Sequence, residues 1–290
     1  MKLIADSGST KTTWLIRRPS STDIRVDSVG LNPVRDDAAL IQQVVEGVAA
    51  SLGSYLGGVA MESQHTGRDV VEEVYFYGAG CIAPYAEAVR GALESAFVGA
   101  KVAVESDLLG AARALFGVEE GVVCILGTGS NSCLYDGEKI VANVSPLGWI
   151  LGDEGSGAVL GRTLVGDLLK GQLTEGLREA FLERFELTPT AIIDAVYRQP
   201  QANRFLASLV PFIVEHREDE SIHALLLTSF RAFFRRNVSA YGRQDLPVGF
   251  VGGIAAQFER ELREAAELEG FEVGRIEQHP ILGMAAFHGA

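Results

Sequence analysis

Cysteine and proline are scarce in this 290-residue sequence, with 3 and 9 copies. Cys81, Cys124 and Cys133 stand among apolar residues without metal-type spacing, which favours buried reduced thiols over a disulfide or a metal site. No apolar run approaches the roughly 20 residues that cross a bilayer. The opening MKLIADSGST places Asp6 where a secretion signal needs its apolar stretch, so a cytoplasmic location away from membranes is expected. Positive charge is also short: 25 basic residues against 38 acidic ones leave a formal charge of −13, and basic clusters go no further than pairs such as Arg17-Arg18 and Arg235-Arg236. That balance argues against nucleic acid as a partner. A hydrophobic content of 47% with 22% charged residues and 33 glycines excludes disorder and collagen-like repetition. The length suits one large domain or two smaller ones.

What is present falls into two parts. Leu3 to Ala5 and Thr13 to Ile16 read as strands joined by a turn of small polar residues, Asp6 to Thr12. A third strand is expected at Ile24 to Val29, and helical spacing follows from Ala38 to Leu52. Gly53 to Asp69 reads as a loop or a frayed helix end. Val74 to Tyr77 and Lys101 to Glu105 read as strands, Tyr85 to Phe97 as a helix, and Ser106 as the N-cap of a helix from Asp107 to Phe116. At Gly121 the pattern restarts: strand Val122 to Leu126, turn Gly127 to Ser132, strand Cys133 to Tyr135. Placing Asp6-Ser7-Gly8-Ser9 over Gly127-Thr128-Gly129-Ser130 implies a duplication with an offset of 121 residues. Two such halves would set their turns across a cleft, a natural ligand site. After a strand at Lys139 to Val144, helical periodicity marks Gly152 to Leu169, Leu173 to Phe185, Thr190 to Tyr197, Phe205 to His216 and Glu220 to Tyr241. Strand Val248 to Val251, a helix from Ile254 to Glu269 and a short helix at Ile281 to Phe287 close the chain. The mixture argues an α/β protein with two sheets and a boundary between Phe116 and Gly121.

Turns of Gly, Ser and Thr directly after buried strands converge backbone N–H groups and hydroxyls on one point, as a phosphate chain requires. They also close ordinary hairpins. The two commonest nucleotide signatures are absent: Lys11 follows Thr10 and not glycine, and no G-x-G-x-x-G opens a helix. Gly252-Gly253 suits either a nucleotide lying against backbone or tight packing. Asp6 at a strand end suits a water-bridged Mg²⁺ or a turn-stabilising acid. Asp107 in a first helical turn reads by itself as an acid complementing the helix dipole, although a proton acceptor is equally in reach of its chemistry. Asp153 and Glu154 between glycines, and Asn32 and Asn131 in turns, could recognise sugar hydroxyls or serve local structure. His65, His216, His223, His279 and His288 form no motif.

Taken in order, Asp6 to Thr12, Gly127 to Asn131, Gly148 to Ser156 and Val251 to Ile254 resemble the signature segments of N-acetylglucosamine kinases and the BadF/BadG/BcrA/BcrD-type ATPases, in the actin, Hsp70 and sugar-kinase superfamily. The resemblance spans most of the chain and is weakest from Leu173 to Gln244. It implies two ribonuclease H-like (actin-like ATPase) domains around a central cleft, residues 1–117 with a closing helix 281–290 packing back, and residues 118–280 with helical additions. By the same resemblance Asp6, Gly8, Ser9, Thr10 and Lys11 belong to a first phosphate loop, with Asp6 holding Mg²⁺ through water. Thr128, Gly129 and Ser130 form the second loop, and Gly252 and Gly253 line the adenosine pocket. Asn32, Asn131, Trp149 and Asp153 bind an amino-sugar, and Asp107 becomes the general base. The implied activity is ATP-dependent phosphorylation of N-acetylglucosamine or a related N-acetylhexosamine such as N-acetylmuramic acid, with the primary alcohol favoured and a homodimer common among relatives.

Two alternatives accompany that expectation. One is an ATPase that drives electrons from an iron–sulfur cluster into a dehydratase or reductase partner, against which the cysteine placement speaks. The other is a nucleotide or sugar sensor without catalysis.

Overall fold

A computed structural model describes residues 1–8, 10–17, 22–57 and 71–289, so Ser9 and residues 58–69 of the loop or frayed helix end expected at Gly53 to Asp69 lie outside the described residues. Two compact units divide the chain, Met1–Val118 with Pro280–Ala290, and Glu119–His279.

In unit 1, β1 (Lys2–Ser7), β2 (Lys11–Ile16) and β3 (Ile24–Val29) are followed by α1 (Ala38–Gly57), β4 (Glu73–Gly78), α2 (Ala86–Ala96), β5 (Lys101–Ser106) and α3 (Asp107–Phe116). The sheet order is β3-β2-β1-β4-β5, antiparallel through the first three strands and parallel from β1 to β5. Alternation along β1 explains why both faces are covered. Leu3 and Ala5 point into a core shared with Ile41, Val45, Val89 and Leu93, while Ile4 joins Leu15, Ala114, Ile281 and Met284 on the other face. The closing helix Ile281–Phe287 therefore packs against β1 and α3. Helix α1 runs to Gly57, beyond the Leu52 that apolar spacing marks.

Unit 2 repeats the plan. It comprises β6 (Gly121–Leu126), β7 (Ser130–Tyr135), β8 (Ile140–Val144), α4 (Gly148–Leu151), α5 (Gly157–Leu169), α6 (Leu177–Arg184), α7 (Pro189–Tyr197), α8 (Ala202–Ala207), α9 (Val210–Glu215), α10 (Glu220–Arg236), a 3₁₀ turn at Val238–Tyr241, β9 (Val248–Val251), α11 (Gly253–Gln257), α12 (Glu259–Leu268) and β10 (Val273–Glu277), with Ile281–Phe287 of unit 1 then counted as α13. Its sheet order, β10-β9-β6-β7-β8, is that of unit 1 with the same strand directions. The register corrects the alignment of the halves. Ser7 pairs with Thr12 and Leu126 pairs with Ser130 before each turn, so Asp6 corresponds to Ile125 and not to Gly127.

Several expected helices are shorter because the backbone turns left-handed or loses a donor. Ser156 caps α5, so Gly152 to Gly155 lie ahead of it, with Asp153 at φ +52° and Gly155 at φ +73°. Gly176 at φ +89° delays α6 to Leu177. Pro211 sits in the first turn of α9 and, having no N–H, separates it from α8. The run to Tyr241 stops at Asn237, and the run from Ile254 breaks at Phe258. Strand β10 carries no apolar alternation beyond Val273 and Ile276 and has an irregular register at the sheet edge, which hid it from pattern reading. Six phenylalanines from α10, α12, β9 and their flanks build the core over this sheet. All three cysteines are free and buried, as expected. Among the described residues no helix is long and apolar enough to cross a membrane.

Candidate functional site

Unit 1 gathers its polar groups at the carboxyl ends of parallel strands, where α/β sheets bind ligands. Asp6 is the last residue but one of β1, Gly78 ends β4, and Asp107 follows the end of β5. Two buried hydroxyls fix this rim: Leu31 N–H donates to Ser7 Oγ at 3.0 Å, Ser7 Oγ lies 2.7 Å from Thr12 Oγ1, and Thr12 donates to the Val29 carbonyl at 3.0 Å. The chain leaving β3 is thereby tied to the β1–β2 turn and delivers Asn32. Asn32 Oδ1 accepts the Val34 N–H at 3.0 Å, and a β-carbon at Gly80 would lie 2.2 Å from that oxygen. Only glycine, at φ +76°, fits there.

Asp107 stands in the first turn of α3, where Ser106 caps the helix and Asp107 Oδ1 accepts the Leu108 N–H at 2.9 Å. Burial pushes its pKa up to about 6 against that favourable bond. Asp6 rises further, to about 7, first because it is buried and second because the Asp107 charge faces it. Burial and the same Asp107 charge hold the Cys81 thiol up at about 12. Asn32, Gly80, Cys81, Asp107 and Asp6 thus form one contiguous rim. Lys11 is drawn elsewhere: its ammonium pairs with Asp27 of β3 at 2.9 Å. Two mutually repelling carboxylates with raised affinity for protons suit a hard divalent cation, and Mg²⁺ commonly takes only one or two protein carboxylates, filling its sphere with water and phosphate oxygens. Among the described residues no group of three or more His, Cys, Asp or Glu side chains that could hold a metal ion gathers around one point.

Unit 2 builds its rim on the β6–β7 turn. Gly157 N–H donates to the Gly127 carbonyl at 2.8 Å and Ala158 N–H to that of Thr128 at 3.1 Å, locking the turn against the start of α5. Asp153, only 9% exposed, accepts the Ser130 N–H, and a β-carbon at Gly129 would meet its Oδ2 at 3.0 Å. Burial raises the Asp153 pKa to about 6, with neighbouring Glu154 adding to the rise. Asn131 Oδ1 accepts from Ser132 N–H at 2.9 Å and Asn143 Nδ2 at 3.0 Å. At Gly252, φ is +116° and a β-carbon would stand 2.3 Å from the Leu126 carbonyl, so the glycine pair after β9 is pressed against the strand that feeds the turn. Gly253 has open space beside it.

Of the residues singled out from the sequence, unit 1 sets Asp6 facing Asp107, with Asn32 against Gly80, while Gly8 N–H donates to the Lys11 carbonyl and the Thr10 carbonyl accepts from Gly30. Unit 2 brings Thr128, Gly129, Ser130, Asn131, Asp153 and Gly252 together. Trp149 is placed against the unit 2 core, and its carbonyl accepts from Arg162. Gly78 and Gly80 were missed as rim residues, although a G-x-G following a buried strand is a signal for them. Glu154 was noted beside Asp153, but its pairing was not; its partner Arg236 lies 82 positions on and leaves no local trace.

Solved structures give an independent comparison. A protein of Porphyromonas gingivalis provisionally named an N-acetylglucosamine kinase is 44% identical, over 99% of this chain and 98% of that one, with a TM-score of 0.90. A Chromobacterium violaceum protein provisionally given the same name shares 18% identity over 99% and 98% of the two chains with a TM-score of 0.73. A ROK family glucokinase of Streptomyces griseus, in complex with glucose and AMPPNP, shares 16% identity over 98% of each chain with a TM-score of 0.55. The latter two show the fold alone. No protein-family model and no curated protein matches the sequence.

Proposed function

Since the chain belongs to the N-acetylglucosamine kinase-like family of sugar kinases, with the actin-like ATPase fold, we propose that it transfers the γ-phosphate of ATP to a hydroxyl of an amino-sugar, N-acetylglucosamine being the substrate we assign. The observation that carries this reading is the pair Asp6 and Asp107, two facing carboxylates on the carboxyl-end rim of one sheet, near the end of β1 and just after β5, with pKa values pushed up to about 7 and about 6. A carboxylate poised near neutrality is suited to accept the proton of an attacking alcohol.

In this reading Asp107 takes the proton of the acceptor hydroxyl, and the Leu108 N–H that already donates to Asp107 keeps its carboxylate oriented. Asp6 holds Mg²⁺ through water; the cation, when bound, would neutralise charge on the phosphate oxygens. The two small-residue turns, Gly8 to Thr10 and Thr128 to Ser130, bind phosphate, and Gly252 and Gly253 give the nucleoside room against backbone. Asn32, Asn131 and Asp153 orient the sugar through groups that both donate and accept, or accept alone. General-base assistance contributes roughly 10²- to 10⁴-fold, and preference for the sugar over water comes from holding its hydroxyl in place. Three buried thiols and a strongly acidic surface fit a reducing, ATP-rich cytoplasm.

An ADP-release screen with Mg²⁺ and ATP across N-acetylglucosamine, N-acetylmuramic acid, glucosamine and glucose tests the proposal. The highest turnover with an N-acetylated amino-sugar is expected. ADP release that is independent of every sugar would refute it.

A further inference from the structure

Asp153 is held in the left-handed region, at φ +52°, which apart from glycine is visited mainly by Asn and Asp and only as single residues, and Gly155 follows at φ +73°. Such a residue costs on the order of 1–2 kcal/mol unless its surroundings determine it. Backbone bonds supply part of the determination: Asp153 N–H donates to the Pro146 carbonyl at 2.9 Å, Ser156 N–H to the Asp153 carbonyl at 3.0 Å, and Gly155 N–H to Ser229 Oγ at 3.3 Å. Packing does not complete it, because a cavity of about 560 Å³ opens behind the segment, lined by Leu151, Glu154, Arg162, Thr228, Ser229 and Arg236. The turn ahead is also loosely packed, with Ile150 and Leu151 both 68% exposed.

Across that cavity Glu154 reaches the end of α10. Its Oε1 lies 2.8 Å from Arg236 Nε, and its Oε2 accepts from Asn237 Nδ2 at 3.3 Å. Asn237 is itself buried and donates to the Phe233 carbonyl, which seats it in the core over the sheet. Arg162 of α5 braces the same segment by donating to the carbonyls of Trp149 and Ile150. Glu154 is 13% exposed and Arg236 is 63% exposed. An ion pair with one partner largely in water contributes little to global stability. Its effect lies in where it anchors the chain.

We infer that Glu154, clamped by Arg236 and Asn237, is a positioning residue that fixes the left-handed Asp153 and thereby the carboxylate offered to the sugar. The inference rests on the sugar-binding assignment of Asp153. Its kinetic test compares wild type with Glu154→Ala, Arg236→Ala and the double variant. Each single change should raise the sugar KM by about tenfold with the ATP KM within twofold and the melting temperature within a few degrees. The double variant should be no worse than Glu154→Ala, since both remove one clamp, and Glu154→Gln, whose single amide oxygen can accept from Arg236 or Asn237 but not from both in this geometry, should recover only part of the loss. An unchanged sugar KM in both single variants, or equal rises in sugar and ATP KM, would overturn the inference. Should Glu154→Ala not fold, Arg236→Ala decides alone, being an exposed helix-end side chain.

A second readout separates this inference from the kinase reading. Amide hydrogen exchange of residues 152–156 in the ligand-free protein should quicken at least tenfold in either single variant while α5 and α10 stay protected. If wild type shows no sugar-dependent turnover, the proposed activity fails and the exchange result still decides the clamp. Unchanged exchange in both variants would refute it.

Discussion

At the scale of single residues the account depends on carboxylates whose surroundings differ from their neighbours' by burial and by one another. Asp153 meets Gly129 and accepts the Ser130 N–H, and its place is set by a backbone conformation that needs no particular ligand. Replacing it by alanine should weaken sugar binding roughly tenfold to a hundredfold, the loss expected for hydrogen bonds to a charged group. Calorimetric titration should find ATP affinity within about threefold of wild type; equal losses for both ligands would remove Asp153 from the sugar. The small-residue turns and the acids flanked by glycine were readable from the sequence because glycine and hydroxyl residues announce turns chemically. Asp107 was not readable by itself. A first-turn acid looks the same whether it complements a helix dipole or faces another carboxylate, and only the parallel pairing of β1, β4 and β5 brings Asp6 to it.

Among elements, the closing helix α13 and the glycine pair after β9 make the firmest predictions. His288 follows α13, stacks on Tyr75 with ring centroids 3.5 Å apart, and lies 2.6 Å by Nε2 from the Tyr77 hydroxyl, whose oxygen also accepts from Arg113 at 2.8 Å. With Arg113 donating to its oxygen, the Tyr77 hydroxyl can give its proton to Nε2 of a neutral imidazole. Burial, Arg113 and Lys2 together lower the His288 pKa to about 4, with Glu73 opposing. The unfolded chain binds this proton first, so the stabilising share of neutral His288 is whole above about pH 6.5 and is lost as pH falls toward 4. Asp6, Asp107 and Asp153 run the other way, their raised values costing most above pH 7 and nothing near pH 4. The difference between wild type and His288→Phe isolates the histidine: the variant should gain on wild type in melting temperature between pH 6.5 and 4, and a constant difference would refute the neutral-imidazole clamp. Gly252→Ala should cost at least about 1–3 kcal/mol, as a side chain forced to positive φ against a carbonyl must, measured by urea unfolding. Strand and helix identities followed from periods of two and 3.6 wherever apolar residues recur. The breaks at Asn237 and Phe258 and the edge strand β10 did not, because caps made by distant partners and a strand with two apolar residues leave little periodic signal.

For the whole molecule, two units of identical strand order explain why the sequence restarts near Gly121. The repeat was visible as a pattern of strand, small-residue turn and strand, yet its register was not. The second turn is tighter than the first, and strand pairing alone shows that Asp6 and Ile125 hold equivalent places in their own hairpins. Consequently the acid of the first turn has no acidic counterpart in the second, and the two turns are chemically unequal. The buried thiols bear on the rival ATPase reading at this same scale: protein purified without oxygen should show no iron–sulfur absorbance, and a cluster band would revive that reading. The central claim, that this chain is a sugar kinase whose Asp107 receives the acceptor proton, is tested most directly by the turnover of Asp107→Asn with N-acetylglucosamine, alongside calorimetric binding of ATP and sugar. The account predicts binding of both ligands within a few fold of wild type and phosphorylation reduced at least about a hundredfold; turnover above about one per cent of wild type would contradict it.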